Sequence, residues 1–251
     1  YPAQVLETYR HTFETLLNMD ILNNGGGKIV IDYAYGVSGA ILPLLLAKFG
    51  CDAVVLNASL RQTAVSNDER EALLSQLGQV VVALEASLGV QVSANGEQLI
   101  LVDESGSAIR GELLTALMVQ MILTAYPKGT IVVPVQASSA VEHLARRHGG
   151  RVIRTKANPT ALMAAAQSNH NVVLGGSGET GFIFPRLHPG FDAMFCIAKM
   201  LEMLTLQGLT LGQIRAELPR VYHNACTVRC SWKMKGALTV SYTHLRAHET
   251  K

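Results

Sequence analysis

The sequence has little charge and few cysteines, and each shortage excludes something. Only 16% of its 251 residues are Asp, Glu, Lys or Arg, and the formal net charge is +2. That rules against the concentrated basic surface on which nucleic-acid binding depends. The densest basic cluster, Arg146, Arg147, His148 and Arg151, falls where a helix is expected to end, a place where the helix dipole favours cations. The four cysteines, Cys51, Cys196, Cys226 and Cys230, follow no disulfide or zinc spacing. No secretory pattern opens the sequence, so a reducing cytoplasm is the expected compartment. Long apolar runs are also missing. The most apolar stretch, 113–126, is interrupted by Gln120 and too short to span a bilayer, and reads as a buried helix.

What is present is apolar content of 49%, enough for two ordinary globular domains. A strand, a small-residue turn, a helix and a second strand occur twice, beginning at Lys28 and at Gly129. In the first copy Ile29-Val30-Ile31 reads as a strand buried on both faces. Ser38 is expected to cap a helix running through Leu44-Leu45-Leu46 to Gly50, and 53–56 forms the next strand. In the second copy Ile131-Val132-Val133 leads through Ser138-Ser139 to a helix from Ala140 to His148 and the strand Val152-Ile153. Right-handed crossovers of this kind imply helix-covered parallel sheets. The expected fold is α/β, with two successive three-layer α/β/α domains whose mixed sheets are mostly parallel. The first spans 1–106, with 1–27 as entry helix and linker, and the second 107–219.

Further elements are expected at 67–77 (helix), 89–93 and 99–102 (strands), 112–125 and 159–167 (helices), 172–174 and 182–184 (extended), and 191–206 and 211–218 (helices). Residues 220–240 read as the first strand and turn of a further, truncated unit. The tail from Val240 to Thr250, V-S-Y-T-H-L-R-A-H-E-T, resembles a translated sequencing adapter, so 241–251 is left out of the fold and His244 and His248 are not offered as metal ligands. With Tyr1 in place of an initiator methionine, both ends are expected to be cut.

Several motifs invite a function and fail on context. Gly176-Ser177-Gly178-Glu179-Thr180-Gly181 fits G-x-G-x-x-G after a strand, but Phe182-Ile183-Phe184-Pro185 follows as extended chain where a dinucleotide site needs a helix N-terminus. A loop shaped around a polar small molecule is the better reading. Gly25-Gly26-Gly27-Lys28 precedes a strand and reads as a linker. His223, Cys226 and Cys230 lack a fourth ligand. Asp103 and Glu104 flank a turn, and Glu112 sits in a first helical turn, where a carboxylate is favourable.

Taken together, K-I-V-I-D-Y-A-Y-G-V-S-G-A-I-L-P from Lys28, L-I-L-V-D-E-S-G from Leu99, G-E-L-L-T-A-L from Gly111, V-V-L-G-G from Val172, F-D-A-M from Phe191 and L-G-Q-I-R-A-E-L-P from Leu211 resemble the second and third domains of the α-D-phosphohexomutase family. Asp32 and Gly36 match that family's D-x-x-x-G turn. The resemblance implies hexose-phosphate chemistry that depends on a phosphoserine in domain I, a magnesium ion held by D-G-D-x-D-R in domain II, a G-E-x-S-G-H sugar loop in domain III and a phosphate clamp in domain IV.

Against that pattern the metal-loop positions hold Ser93, Asn95, Glu97 and Gln98, leaving Glu97 as the one anionic ligand, so Mg2+ should bind weakly at best. The F-P-x-x-x-P-N-P segment of domain II has no counterpart in 57–67. In the sugar loop, with Gly176 at its start, two alignments stay open: Ser177 at the glutamate position with Glu179 at the serine position, or Glu179 and Thr180 in those roles after a one-residue deletion. Lys156 matches a lysine that contacts substrate phosphate in some members of that family, with a plain surface lysine as the alternative reading. The substituted metal loop with G-G-S-G-E-T-G-F-I-F-P is similar to the mutase-like half of bacterial fusions with a sugar-phosphate nucleotidyltransferase of the mannose-1-phosphate guanylyltransferase type. The resemblance thus implies a catalytically degenerate module. An active mutase and a ligand-free interaction module remain the alternatives.

Overall fold

A computed structural model describes residues 2–24, 27–46, 52–61, 65–168, 170–219 and 230–241. The chain divides into two compact units, 1–221 and 222–251.

The large unit contains two sheets. The first consists of β1 (Lys28–Asp32), β2 (Asp52–Leu56), β3 (Leu88–Val92), β4 (Leu99–Val102) and β5 (Ala108–Ile109), in the order β2-β1-β3-β4-β5. Strand β1 runs parallel to β2 and β3, and β4 and β5 follow antiparallel. Its helices are α1 (Pro2–Thr15), α2 (Met19–Asn24), α3 (Leu42–Leu46) and α4 (Asn67–Ala83). The second sheet consists of β6 (Thr130–Pro134), β7 (Arg151–Thr155), β8 (Val172–Ser177) and β9 (Gly181–Ile183), in the order β7-β6-β8-β9. Here β6 is parallel to β7 and β8, and β9 is antiparallel to β8. Its helices are α5 (Gly111–Ala125), α6 (Ala140–Arg147), α7 (Pro159–Gln167), α8 (Ala193–Gln207) and α9 (Leu211–Glu217). Both sheets are mixed and mostly parallel, and both are covered by helices on two faces.

Strand alternation explains the layers. Val30 turns toward Leu74, Leu77 and Val81 of α4, while Ile29 and Ile31 join the large core on the opposite face. In the second sheet Val132 meets Leu162 and Ala166 of α7, and Ile131 and Val133 join that same large core. One hydrophobic core therefore serves both sheets. Helix α5 is buried almost all round because it lies within this shared core, which accounts for its unbroken apolar run. The entry helix α1 also reaches the second sheet's layer: Phe13 packs edge-on against Phe195, with ring centroids 5.4 Å apart. Tyr9 Oη donates to Asp192 Oδ2 at 2.8 Å. Burial and the Asp192 carboxylate hold the Tyr9 phenol far above its ordinary pKa. Among the described residues no single helix is long and apolar enough to cross a membrane.

One local expectation is corrected. Ser38 does not cap a long helix. A 3-10 turn over Val37–Ala40 comes first, and α3 begins only at Leu42. The Ser38 side chain points inward, is buried, and makes no capping bond, because Gly36 occupies the cap position. The strand expected early in 220–240 falls on residues outside the description. Of the remainder, Trp232–Met234 forms a 3-10 turn and 235–241 are helical. The tail after 241, with His244 and His248, also lies outside the described residues.

The turn between β4 and β5 clasps α9. Glu104 accepts from the Thr210 hydroxyl and from the Gly212 backbone N–H, and Asp103 Oδ2 accepts from Arg215 at 2.9 Å. Asp103 Oδ1 also accepts from the Ser105 hydroxyl and from the Ser105 and Ser107 backbone. Burial alone would raise the Asp103 pKa, but these donors outweigh it and hold the carboxyl below its usual range. The stability it contributes is therefore fully present above the unfolded-state value of about 4 and is lost as pH falls through the lower folded value. Melting temperatures of wild type and Asp103→Asn across an acid titration test this. The gap between them should be widest near neutrality and close in acid, and a gap independent of pH would contradict the assignment.

Candidate functional site

A cleft of about 340 Å³ opens between the first turn of α4, the β3–β4 loop and the β8–β9 turn, with Arg70, Gln91, Gln98, Arg110 and Glu179 among its lining. Its floor is organised by Asp32, at the end of β1, which is fully buried. Asp32 Oδ1 accepts from the Ala34 backbone N–H at 2.9 Å and from Asn57 Nδ2 at 3.0 Å, and Oδ2 accepts from Gln91 Nε2 at 3.1 Å. Three donors satisfy a charge that could not otherwise be buried. The turn that follows is strained: Ala34 and Tyr35 both take left-handed φ values, 44° and 60°, at a cost of about 1–2 kcal/mol each. That geometry brings Gly36 against the β3–β4 loop, where a Cβ would lie 2.5 Å from Ala94 Cα, and Val37 N–H donates to Ala94 O at 3.0 Å. The D-x-x-x-G turn is thus the support on which loop 93–98 rests.

Within loop 93–98 the side chains satisfy one another. Ser93 Oγ donates to Asn95 Oδ1 at 2.7 Å, and Asn95 Nδ2 donates to Glu97 Oε2 at 2.7 Å. Gln98 N–H donates to Ser93 Oγ at 2.9 Å, and Ser93 N–H to Gln98 O at 2.9 Å. This donor set does not fit a magnesium ion, which needs hard oxygens, anionic ones above all. One carboxylate is present, and an amide N–H is directed at it. Among the described residues no group of three or more His, Cys, Asp or Glu side chains is placed to hold a metal.

Across the cleft, Ser177 and Gly181 pair across the β8–β9 hairpin. No helix follows β8, so the geometry of a dinucleotide site is absent. Ser177 is buried, its N–H donating to Thr180 Oγ1 at 3.1 Å and its hydroxyl 3.1 Å from the same atom. Glu179 is exposed at the cleft mouth, so the hairpin turns Glu179 outward and Ser177 inward. The two loops meet directly. Gln98 Nε2 donates to Glu179 O at 2.9 Å. Gly111 and Gly178 form an isolated antiparallel bridge, and Gly178 N–H donates to Thr115 Oγ1 at 2.9 Å. Gly181, at φ 95°, packs so tightly on the Glu97 carbonyl that a Cβ would collide with it, which is why only glycine serves there.

The structure therefore brings Ser93, Asn95, Glu97, Gln98, Glu179 and Thr180 into one neighbourhood. Lys156 does not join them. It is exposed just past β7, the far edge strand of the second sheet, and does not line the cleft. The carboxylates set aside in the sequence have structural duties: Asp103 and Glu104 hold α9, and Glu112 Oε2 accepts from Ser138 N–H at 2.7 Å. Gly25, Gly26, His223 and Cys226 lie outside the described residues. Arg70, Gln91 and Arg110 escape a sequence reading. Arg70 hides in the charged run N-D-E-R-E at a helix start, which reads as a solvated face, and only the packing of α4 beside β3 turns it into the cleft.

Comparison with known proteins gives this arrangement a family. The model for "Phosphoglucomutase/phosphomannomutase, alpha/beta/alpha domain II" matches residues 7–106, and that for domain III of the same family matches 110–222. The phosphoglucomutase/phosphomannomutase of Thermococcus kodakarensis is 27% identical over 220 residues, covering 87% of this chain and 48% of that protein. The chain spans about half the length of the curated relatives it matches. Among solved structures, a phosphoglucomutase/phosphomannomutase family protein from Burkholderia thailandensis superposes with a TM-score of 0.72 at 19% identity, over 87% of this chain and 47% of that one. The N-acetylphosphoglucosamine mutase of Aspergillus fumigatus, in complex with GlcNAc-6P and magnesium, gives 0.55 at 13% identity, over 84% and 48%. These structural likenesses speak for the fold alone. The two consecutive domain models, matched in the family's own order over most of the sequence, establish that the chain belongs to the phosphoglucomutase/phosphomannomutase family and carries its domains II and III.

Proposed function

We propose that this chain is a hexose-phosphate-binding module of the phosphohexomutase family, working in sugar-phosphate and nucleotide-sugar metabolism without magnesium-dependent phosphoryl transfer. The observation that carries the reading is the closed Ser93–Asn95–Glu97 network. Phosphoryl transfer relies on positioning and charge neutralisation by a metal, and this loop offers a single carboxylate whose Oε2 already accepts an amide proton. Ligand binding needs less, and the cleft supplies it. Glu179 stands free at the mouth to accept hydrogen bonds from sugar hydroxyls, with Ser177 and Thr180 bracing its turn. The mutase names of the curated relatives, phosphoglucomutase/phosphomannomutase and phosphoglucosamine mutase, support the ligand class.

The same proposal extends to the parent protein: domains I and IV, and an N-terminal sugar-1-phosphate nucleotidyltransferase of the mannose-1-phosphate guanylyltransferase type, in a bacterial cytoplasm. Its support is the similarity of G-G-S-G-E-T-G-F-I-F-P and the substituted loop to such fusions. The second reading, an active phosphomannomutase or phosphoglucomutase at full length, is favoured by the mutase names of the relatives.

Calorimetric titration of magnesium into the chain joined to a family domain I, which supplies the phosphoserine, separates the two readings. No saturable heat is expected at millimolar concentration, and saturation in that range would overturn the proposal. Ser93→Asp combined with Asn95→Asp restores three acidic ligands with Glu97 and should create saturable magnesium binding, more than about tenfold tighter than any residual wild-type affinity. In the full-length protein, interconversion of mannose 6-phosphate and mannose 1-phosphate with added magnesium should be absent, and robust turnover would establish the mutase reading instead.

A further inference from the structure

We infer that Arg70 is the anion anchor of the cleft, taking the phosphate of the hexose phosphate whose hydroxyls Glu179 receives; the inference rests on the ligand class proposed above. Three arginines surround α4, and two are neutralised. Arg61 pairs with Glu69 at 2.5 Å and Arg110 with Glu71 at 2.6 Å. The Arg70 side chain has no ion-pair or hydrogen-bond partner among the described residues, and the residue is half-buried and lines the cleft.

A guanidinium stays charged at any physiological pH and carries five donors in a rigid fork suited to phosphate. Partial removal from water without a counter-charge costs free energy, which an incoming anion would recover. The backbone beneath it is fixed. Arg70 N–H donates to Ser66 O at 2.9 Å, and its carbonyl accepts from Gln91 Nε2 at 3.5 Å. The same Gln91 nitrogen donates to the buried Asp32. The chain from Asp32 through Gln91 to Arg70 ties the strained β1 turn to the position of the anchor.

The opposite wall supplies the complement. Glu179 has no ion-pair partner among the described residues, and with the Arg110–Glu71 pair internally neutral the cleft presents, among the described residues, one free cation and one free carboxylate. A hexose phosphate matches both, with an anionic end and a ring of neutral hydroxyl donors. The cavity of about 340 Å³ lies within the range of small-molecule sites. Lys156, the phosphate contact that the family resemblance implies, does not line this cleft, whereas Arg70 does.

Calorimetry on the chain with mannose 1-phosphate and with inorganic phosphate tests the inference. Arg70→Gln should weaken both ligands by at least about tenfold, as expected for loss of charge-assisted hydrogen bonds. Glu179→Gln should weaken mannose 1-phosphate but not inorganic phosphate, and Arg61→Gln neither. Arg70→Lys, which keeps the charge and loses the fork, should bind mannose 1-phosphate more weakly than wild type at an unchanged melting temperature, and it serves if Arg70→Gln does not fold. Wild-type affinity in the Arg70 variants, alongside a loss in Glu179→Gln, overturns the anchor and leaves the ligand class standing. A wild-type chain that binds neither compound overturns both.

Discussion

The contact on which the site depends is backbone against backbone. Gly181 lies on the Glu97 carbonyl, Gly178 bridges to Gly111, and Gln98 spans the join to the Glu179 carbonyl. No side chain separates the two loops at these points, so the cleft has a fixed width set by van der Waals contact between main-chain atoms. The shared hydrophobic core behind it joins the two sheets, and Asp103 and Glu104 clasp α9.

That rigidity shapes the chemistry. Where a family member would collect carboxylates around a cation, this chain has a neutral relay from a hydroxyl to an amide to a single acid. A divalent ion entering it would have to break the Ser93–Asn95 and Asn95–Glu97 bonds and would gain one negative ligand in return, an exchange that favours the closed loop. Among the described residues the unpaired charges of the cleft lie on Arg70 and Glu179.

Most of the architecture was legible in the sequence because the signals were strong and local. The apolar triplets at 29–31 and 131–133 marked the central strands, and Asn158-Pro159 marked the start of α7, where Asn158 caps the helix by accepting from Ala161 N–H. The helix expected after Ser38 failed because burial, invisible to a propensity argument, claimed the serine. The loops were legible by position and not by geometry. Which of Ser177 and Glu179 faces the cleft depends on the pairing of Ser177 with Gly181 across β8 and β9, and strand register is a tertiary property. Arg70 and Gln91 were illegible for the same reason. Their meaning arises from one helix packing beside one strand, and nothing in N-D-E-R-E announces it.

The strand orders carry one more implication. In both sheets the second strand stands beside the first, the first beside the third, and the third beside an antiparallel fourth. Loop 93–98 connects the third and fourth strands of one sheet, and the 178–180 turn connects the third and fourth strands of the other. The two halves of the cleft are thus the same topological corner used twice. The glycines that join the two corners, Gly178 and Gly181, contribute no side chains, so the residues of either loop can vary without disturbing the contact between them.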